Sequence, residues 1–283
     1  MEGDSMFKLL KTFRTVYETK NFSKAAETLF ISQPAVSNQV KQLEEELDIV
    51  LFIRSGRQEM TATKQADILY HHLLNLTDDW EDILQALKTQ SIPKATCKII
   101  ASNTFAVHYL PELMKELVQY FPEVSFVLEM DNSEVVLEKI EKHQAHFGFI
   151  EKPLITETAV RQEILNDELV HAGDLSSELW LVREESSGVY HYTERYFLEN
   201  NLSPKKMIIK NNEIIIRCLD KGIGQSIVSK KALTKKINWH SLDQGYQRKF
   251  YLIKRDRIES TQLQEIAHFI NTHFQKAEQP FLN

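Results

Sequence analysis

One face of a predicted helix after residue 32 carries the polar side chains best suited to recognising another molecule. At about 100° per residue, Ser37, Asn38 and Lys41 point away from the apolar side of this helix. Amide side chains pair with adenine, and Lys pairs with guanine or a phosphate, so this face suits the major groove of DNA. The candidate DNA-binding residues of the helix and its N-terminal end are Ser32, Gln33, Pro34, Ser37, Asn38 and Lys41. On composition alone, an ordinary solvated helix face explains them equally well.

A second group of polar residues stands where predicted strands of the C-terminal half end and helices begin. Such ends offer hydroxyls and free backbone N–H groups, which favour a small anion bearing a carboxylate, sulfate or phosphate. The candidate effector-binding residues are Ser102, Asn103, Thr104, Asn132, Ser133, Ser187 and Gly188. Arg195 and Arg217 are possible counter-charges, although solvent-facing ion pairs are an equal alternative for both. Ser, Thr and Asn are also ordinary helix caps, which is the competing interpretation of each segment.

Residues that would indicate catalysis or a metal site are missing from the sequence pattern. The chain has no GxSxG, HExxH, P-loop or CxxC motif, and its ten histidines are scattered. His268 and His273 lack the i, i+4 spacing of a helical metal pair. We therefore expect no enzyme, no catalytic residue, no metal and no cofactor. Cys97 and Cys218 lie far apart, which favours a reducing compartment and buried thiols over a redox-sensing pair.

The elements that position the first polar face read as a helix-turn-helix. Two apolar stripes at helical period are separated by a break at residues 31–32. The first stripe comprises Phe22, Ala25, Ala26 and Leu29, and the second comprises Val36, Val40, Leu43 and Leu47. The small Ala25 and Ala26 allow the two helices to cross closely. Ser32 is suited to cap the second helix, and Pro34 fits its first turn.

The flanking segments predict a cover helix and a wing. Apolar residues at spacings of three and four predict a helix over residues 6–19, preceded by a leader, residues 1–5, that we interpret as an expression remnant. Residues 51–61 predict a hairpin beside the recognition helix, which makes a winged arrangement. Arg54 and Arg57 in this hairpin are candidate contacts to the DNA backbone or minor groove. A merely solvated hairpin is the alternative.

A long helix follows the predicted wing. Residues 63–90 carry an apolar heptad that is sustained for three repeats. The seam consists of Ala66, Leu69, Leu73, Leu76, Trp80, Ile83 and Leu87. A seam of this kind must be buried, so it predicts dimerisation, with packing on its own domain as the competing possibility. Pro93 within residues 91–95 indicates a hinge.

Beyond the hinge, strand and helix signals alternate in a βαβαβ rhythm. Strands are expected near residues 97–101, 124–130 and 147–150, with helices between them. A second set follows Pro153, with strands near 168–172, 179–182, 206–209, 213–219, 226–229 and 249–254 and a helix from 189 to about 200. A final helix is expected over 261–274. This rhythm predicts a largely parallel sheet with helices on both faces.

The segment SKAAETLFISQPAVSNQVKQLEEELDIVLFIR (residues 23–54) resembles the DNA-binding signature of the LysR-type transcriptional regulators. The resemblance implies that residues 63–90 pair two subunits and that the C-terminal half forms two α/β lobes like those of periplasmic binding proteins. It also implies that the positions matching Ser102–Thr104, Asn132–Ser133 and Ser187–Gly188 contact an inducer. Three residues depart from the family pattern, since Asp48 and Gln65 stand where Gly is usual and Ser229 stands where Pro is usual.

Length and charge set the remaining limits. At 283 residues the chain suits two domains, and no apolar run approaches the ~20 residues that span a bilayer, so we expect a cytoplasmic protein without membrane contact. The net charge is −6; residues 6–62 carry eight Lys/Arg and seven Asp/Glu, a net of +1, which leaves −7 elsewhere. So few cations predict modest DNA affinity for each half-site, raised by oligomerisation.

The sequence thus predicts an α + α/β chain: a winged helix-turn-helix over residues 6–62, a linker helix over 63–90 and a two-lobed effector domain over 96–283. The first lobe is expected at about 96–152 plus 255–283, and the second at about 153–254. The predicted function is a LysR-type transcriptional regulator with promoter DNA and a small, anionic effector as partners, acting as a homodimer or homotetramer. The alternative is a ligand-binding protein whose helix-turn-helix contacts protein rather than DNA.

Overall fold

The computed structural model describes residues 2–55, 59–88, 96–156, 158–256 and 260–277. It divides into two compact units, Met1–Pro93 and Lys94–Asn283, which we treat separately. The hinge predicted at residues 91–95 lies outside the described residues. The first helix begins at Glu2 rather than at Met6, so part of the segment interpreted as a leader continues the helix.

The N-terminal unit is a helix-turn-helix with a two-stranded wing and a long following helix, as predicted. Its elements in chain order are α1 (Glu2–Thr19), α2 (Phe22–Leu29), α3 (Gln33–Leu47), β1 (Phe52–Ser55), β2 (Glu59–Ala62) and α4 (Lys64–Lys88). Local residues define the ends of the two short helices. The Asn21 side chain accepts hydrogen bonds from the backbone N–H groups of Ser23 and Lys24, and the Ser32 hydroxyl accepts one from Ala35. Helix α2 ends at Phe30, whose φ of 55° is left-handed.

One apolar core holds these helices together. Ala25 and Ala26 are buried, which confirms that α2 uses its small face against the neighbouring helices. Val36, Val40 and Leu43 of α3 enter the same core from the other side. Helix α1 covers the pair, with Phe13 fully buried between the helices and the wing. Because this side of α3 is held in the core, the opposite side of the helix faces solvent.

The heptad of α4 is divided between two environments. Ala66 and Leu73, in its first half, are buried in the core of the N-terminal unit. Trp80, Ile83 and Leu87, in its second half, are exposed, Leu87 by 75 %. The competing possibility, packing on its own domain, therefore holds for the first half of the seam, and Trp80 also lies 5.5 Å from the Phe7 ring of α1. Dimerisation through the exposed second half stays a prediction.

The C-terminal unit alternates strands and helices. Its elements are β3 (Thr96–Ala101), α5 (Asn103–His108), α6 (Leu110–Tyr120), β4 (Ser125–Met130), α7 (Ser133–Glu141), β5 (Phe147–Ile150), β6 (Ala159–Gly173), β7 (Leu179–Val182), α8 (Gly188–Glu199), β8 (Lys205–Ile208), α9 (Asn212–Asp220), β9 (Gln225–Ser229), β10 (Trp239–Ser241), β11 (Gln247–Arg255) and α10 (Thr261–Ala277). The predicted strands and helices are found with shifted ends, with one exception. The segment 213–219, which was expected among the strands, lies in helix α9, whose apolar Ile215, Ile216 and Leu219 are buried at helical spacing.

The strands that the structure describes in this unit form one nine-stranded sheet of order β4-β3-β5-β11-β6-β9-β7-β8, with β10 paired to β6. The expected parallel pairing holds at both ends, where β3 pairs with β4 and β5, and β7 pairs with β8 and β9. The centre differs, because β6 and β11 are long and antiparallel to each other and to their outer neighbours. Only the apolar end of the 15-residue β6 was predicted, since its first half alternates with exposed polar residues.

The sheet carries a separate core at each end, which defines two lobes. In the first lobe, Phe105 stacks on Phe149 with ring centroids 4.2 Å apart. Phe250 and Leu252, which the sequence assigned to the second lobe, pack into this first core because β11 runs beside β5. In the second lobe, Trp180 packs edge-on against Phe197. The strands β6 and β11 connect the two lobes.

Candidate functional sites

The polar face of α3 is open to solvent. Gln33, Asn38 and Lys41 are exposed, and the Lys41 side chain retains 74 % of its accessible area. Ser32 and Pro34 at the helix start are exposed as well. Ser37 is half-buried and accepts a hydrogen bond from the Gln33 amide at 3.1 Å. The structure thus gathers these candidates on the side of α3 opposite the core.

Two side-chain contacts fix α3 relative to its neighbours. The Thr12 hydroxyl of α1 donates to the Gln39 side chain at 2.6 Å. The Glu44 carboxylate accepts from the backbone N–H groups of Leu51 at 2.7 Å and Phe52 at 3.2 Å, where the wing begins. Sequence reasoning missed Glu44, because it sits in a run of three glutamates that resembles a solvated helix face. The carboxylate therefore positions the wing beside the recognition helix.

Of the two candidate arginines of the wing, only Arg54 lies within the described residues. The backbone of Arg54 lies in β1 and pairs with Met60 of β2. Arg57 lies outside the described residues. Their expected DNA contacts stay predictions.

The second candidate site is a cleft of about 220 Å³ in the C-terminal unit. It is lined by Asn103, Met130, Asp131, Asn132, Ser133, Glu151, Arg183, Glu184, Ser187, Gly188, Lys210 and Asn211. The lining includes five of the seven predicted effector residues and draws on the ends of β4, β5 and β7, as expected for strands that carry a ligand at their carboxyl ends. Ser102 and Thr104 do not line it, and neither do Arg195 and Arg217.

One of the predicted cleft residues uses its side chain to cap a helix, whereas three others make no such hydrogen bond. The Asn132 side chain accepts from the backbone N–H groups of Glu134 and Val135, both at 3.0 Å, so it caps α7. The Ser133 hydroxyl and the Asn103 side-chain oxygen are buried without a hydrogen-bond partner among the described residues. Ser187, at the start of α8, makes no side-chain cap bond. These groups leave hydrogen-bonding capacity in the cleft.

Charged side chains that the sequence reasoning missed surround the cleft. Arg183 binds Glu184 through two 2.9 Å contacts and also donates to Asn212. Burial alone would raise the pKa of Glu184, but its hydrogen bond with Arg183 lowers the pKa below the ordinary value. Lys210 is exposed and has no ion-pair partner within the part of the chain that the structure describes. Arg183 directly follows β7, so the rule that marked Ser102 and Asn132 at strand ends would also have found it.

A buried polar network behind the cleft joins the two lobes. Arg248 of β11 contacts Asp167 of β6 with Nε and Oδ2 2.7 Å apart. Its Nη2 donates to the Thr104 hydroxyl at 3.1 Å, and that hydroxyl also accepts from the Asn212 amide at 2.8 Å. Thr104, a predicted effector residue, thus serves this network instead. Glu151 lies at the edge of the network, with its Oε1 3.7 Å from Arg248 Nη1.

The two predicted counter-charges lie elsewhere. Arg195 donates to the Gly245 carbonyl at 2.6 Å, and its Nε is 3.3 Å from Glu199. Its guanidinium lies 4.1 Å from the centroid of the Tyr246 ring. Arg217 lies in the last turn of α9. Neither arginine supplies positive charge to the cleft.

Both units of the chain match known protein families. Residues 7–67 match the model of the bacterial regulatory helix-turn-helix protein, lysR family, and residues 91–275 match the LysR substrate binding domain. The chain belongs to the LysR family. It is 31 % identical to the HTH-type transcriptional regulator CysL of Bacillus subtilis, over 92 % of this chain and 94 % of that protein. It is also 27 % identical to the transcriptional activator CmpR of Synechocystis, over 77 % of each chain.

Solved structures share the fold at low sequence identity. A full-length OxyR variant from Pseudomonas aeruginosa is 16 % identical and aligns with a TM-score of 0.61, over 94 % of this chain and 93 % of that one. Full-length CbnR in complex with its target DNA is 18 % identical and aligns with a TM-score of 0.55, over 96 % and 99 %. As a LysR-family member, this chain is a DNA-binding transcriptional regulator whose partners are promoter DNA and a small-molecule effector.

Three further observations concern a cysteine, membrane spans and metal sites. Burial raises the pKa of the Cys97 thiol to about 12, so this cysteine is not a thiolate at neutral pH. In the described ranges, no helix is long and apolar enough to cross a bilayer. The same ranges hold no group of three or more His, Cys, Asp or Glu side chains placed for a metal ion.

Proposed function

We propose that this regulator reads its promoter site through the exposed face of α3, with Asn38 contacting base edges and Lys41 a guanine or phosphate. The observation that carries the proposal is the orientation of the helix. Val36 and Val40 are buried while Asn38 and Lys41 face solvent, so the polar side is available to a groove. The wing, held by Glu44, would place Arg54 and Arg57 beside the flanking backbone.

The cleft would bind a small effector with an anionic group. The N-termini of α7 and α8 meet there, and Lys210 adds a positive charge. Because the cleft is lined by both lobes, an effector that binds one arrangement of the lobes more tightly would shift the population toward it. That shift would alter the spacing of DNA-binding units in the oligomer. We infer no catalytic role for either site.

Residues 63–90 would link and pair the subunits. The exposed half of the α4 seam, which includes Trp80 and Ile83, supplies an apolar surface that a second copy of α4 would cover. Dimers, paired again into tetramers, would bring several helix-turn-helix units to a partly palindromic site and compensate for the few cations of each. A cytoplasmic location fits this role.

The test is a footprint and gel shift on the DNA upstream of the chain's own gene. Lys41→Ala should weaken binding on all sequences and reduce the salt slope by about one for each subunit. Asn38→Ala should cost about 1–3 kcal/mol at one base position and relax sequence preference there. Lys11→Ala removes the same charge from an exposed position of α1 and serves as the control. Unchanged DNA binding with impaired self-association would favour the alternative, a helix-turn-helix that contacts protein.

A further inference from the structure

The interior behind the cleft contains one cation for two carboxylates. Arg248 and Asp167 have side chains that are 1 % exposed, and Glu151 is 7 % exposed. Arg248 Nε lies 2.7 Å from Asp167, whereas Arg248 Nη1 lies 3.7 Å from Glu151, beyond hydrogen-bonding distance. Asp167 also accepts from the hydroxyls of Ser229 at 2.6 Å and Tyr109 at 3.0 Å. Arg248 is therefore hydrogen-bonded to Asp167, and the Glu151 carboxylate keeps only a longer ion pair with the same cation.

Glu151 presents this surplus carboxylate at the cleft. It lines the cleft directly after β5, and its Oε2 is buried without a hydrogen-bond partner in the residues that the structure describes. The side chain packs over Gly188, the first residue of α8. A Cβ at Gly188 would come within 2.4 Å of Glu151 Cγ. The N-terminus of α8 offsets part of the negative charge, but no hydrogen bond to Oε2 comes from it.

The rest of the cleft holds two cations, Arg183 and Lys210, and two further carboxylates, Asp131 and Glu184. Arg183 is occupied by Glu184 and Asn212, so it adds no net charge. Lys210 is exposed and makes no ion pair within 4.0 Å in the described ranges, although its charge helps to lower the pKa of Glu184. The buried Ser133 hydroxyl is also without a partner there. The cleft thus offers an acceptor carboxylate, a cation and a hydroxyl.

We propose that the effector is a small zwitterion with an ammonium group close to a carboxylate, as in an α-amino acid. Glu151 would bind the ammonium, and Lys210 with Ser133 would bind the carboxylate. A buried carboxylate that shares its cation with a second carboxylate and has one oxygen without a hydrogen bond is costly, and a ligand ammonium reduces that cost while a plain anion adds to it. The cleft, with a volume of about 220 Å³, has room for a small amino acid. This inference rests on the proposed effector role of the cleft and refines it.

The experiment compares matched ligands that differ in the amine alone. The full chain is titrated calorimetrically with glycine, L-alanine and L-serine, with their hydroxy-acid counterparts glycolate, L-lactate and L-glycerate, and with sulfate and phosphate. At least one amino acid should bind at least tenfold more tightly than its hydroxy acid. Glu151→Gln should remove that difference. The control Glu138→Gln, which makes the same charge change on the exposed side of α7, should preserve it.

A second measurement needs no ligand. Glu151→Gln should raise the melting temperature of the unliganded protein by about 2–4 °C, because it removes the surplus carboxylate. Asp167→Asn should lower the melting temperature, because it leaves Arg248 without its partner. Equal or tighter binding of hydroxy acids or inorganic anions, binding by none of the probes, or a lower melting temperature for Glu151→Gln would each overturn the proposal. DNA binding by the same variants in the gel shift would show whether the proposed DNA contact survives that outcome.

Discussion

Replacing Glu44 by Ala removes the acceptor that holds the start of the wing. The carboxylate binds the N–H of Leu51 at 2.7 Å and that of Phe52 at 3.2 Å. Leu51 is fully buried, so its N–H would lose this acceptor where water does not replace it. A hydrogen bond to a charged group contributes about 1.5–3 kcal/mol. We assign about 2 kcal/mol to the shorter bond and little to the longer one.

That loss has two measurable consequences. For a unit of the size of Met1–Pro93 that unfolds separately, about 2 kcal/mol lowers the melting temperature by about 8–16 °C. If half of this free energy must be spent on ordering the wing when it binds DNA, the DNA affinity falls about fivefold. Differential scanning calorimetry of the full chain and a gel shift on the footprinted fragment measure the two effects.

Glu46→Ala is the matched control. It removes the same charge from the same helix, but Glu46 is exposed and accepts its 2.9 Å hydrogen bond from Gln42 on the surface. Any general gain in DNA affinity from a lost negative charge is therefore common to both variants. Equal melting temperatures and equal DNA affinities for the two variants would refute the role of Glu44 in holding the wing.

Three further predictions concern other parts of the molecule. Asp48 closes α3 with a φ of 51° and places a negative charge at the helix C-terminus, so Asp48→Gly should raise stability by about 1 kcal/mol in thermal unfolding. Asp48→Ala keeps the Cβ and should give no such gain; an equal gain would contradict the backbone explanation. Ile83→Glu on the exposed seam of α4 should weaken self-association at least tenfold in sedimentation velocity, whereas His72→Glu on an exposed position of the same helix should not. Unaltered association of the Ile83 variant would exclude the seam as the interface. Burial lowers the pKa of His171 to about 4 in the folded protein. As the pH falls below 6.5, the imidazole is therefore protonated in the unfolded chain but not in the folded one, which lowers the free energy of unfolding. About 1 kcal/mol should be lost between pH 7.5 and 5.5 in urea unfolding, and His171→Asn should lack this loss.

The sequence was sufficient for the helix-turn-helix of α2 and α3 because near neighbours determine it. The stripe from Phe22 to Leu29, the Ser32 cap and the Pro34 turn are all set within a few residues. Periodicity alone therefore predicted which side of α3 would face solvent. The same logic located the strand ends that supply Asn132, Ser133 and Gly188 to the cleft.

Tertiary structure decided what periodicity leaves open. The α4 heptad is uniform in sequence, yet Leu73 is buried and Leu87 is exposed, because burial depends on what else packs there. The charge of the cleft likewise depends on side chains from β11, β6 and the end of β5. Arg248 forms its hydrogen bond with Asp167, and Glu151 lies 3.7 Å from the same guanidinium. Pairing of groups so distant in sequence follows from the order of β5, β11 and β6 in the sheet, and a local pattern carries no information about it.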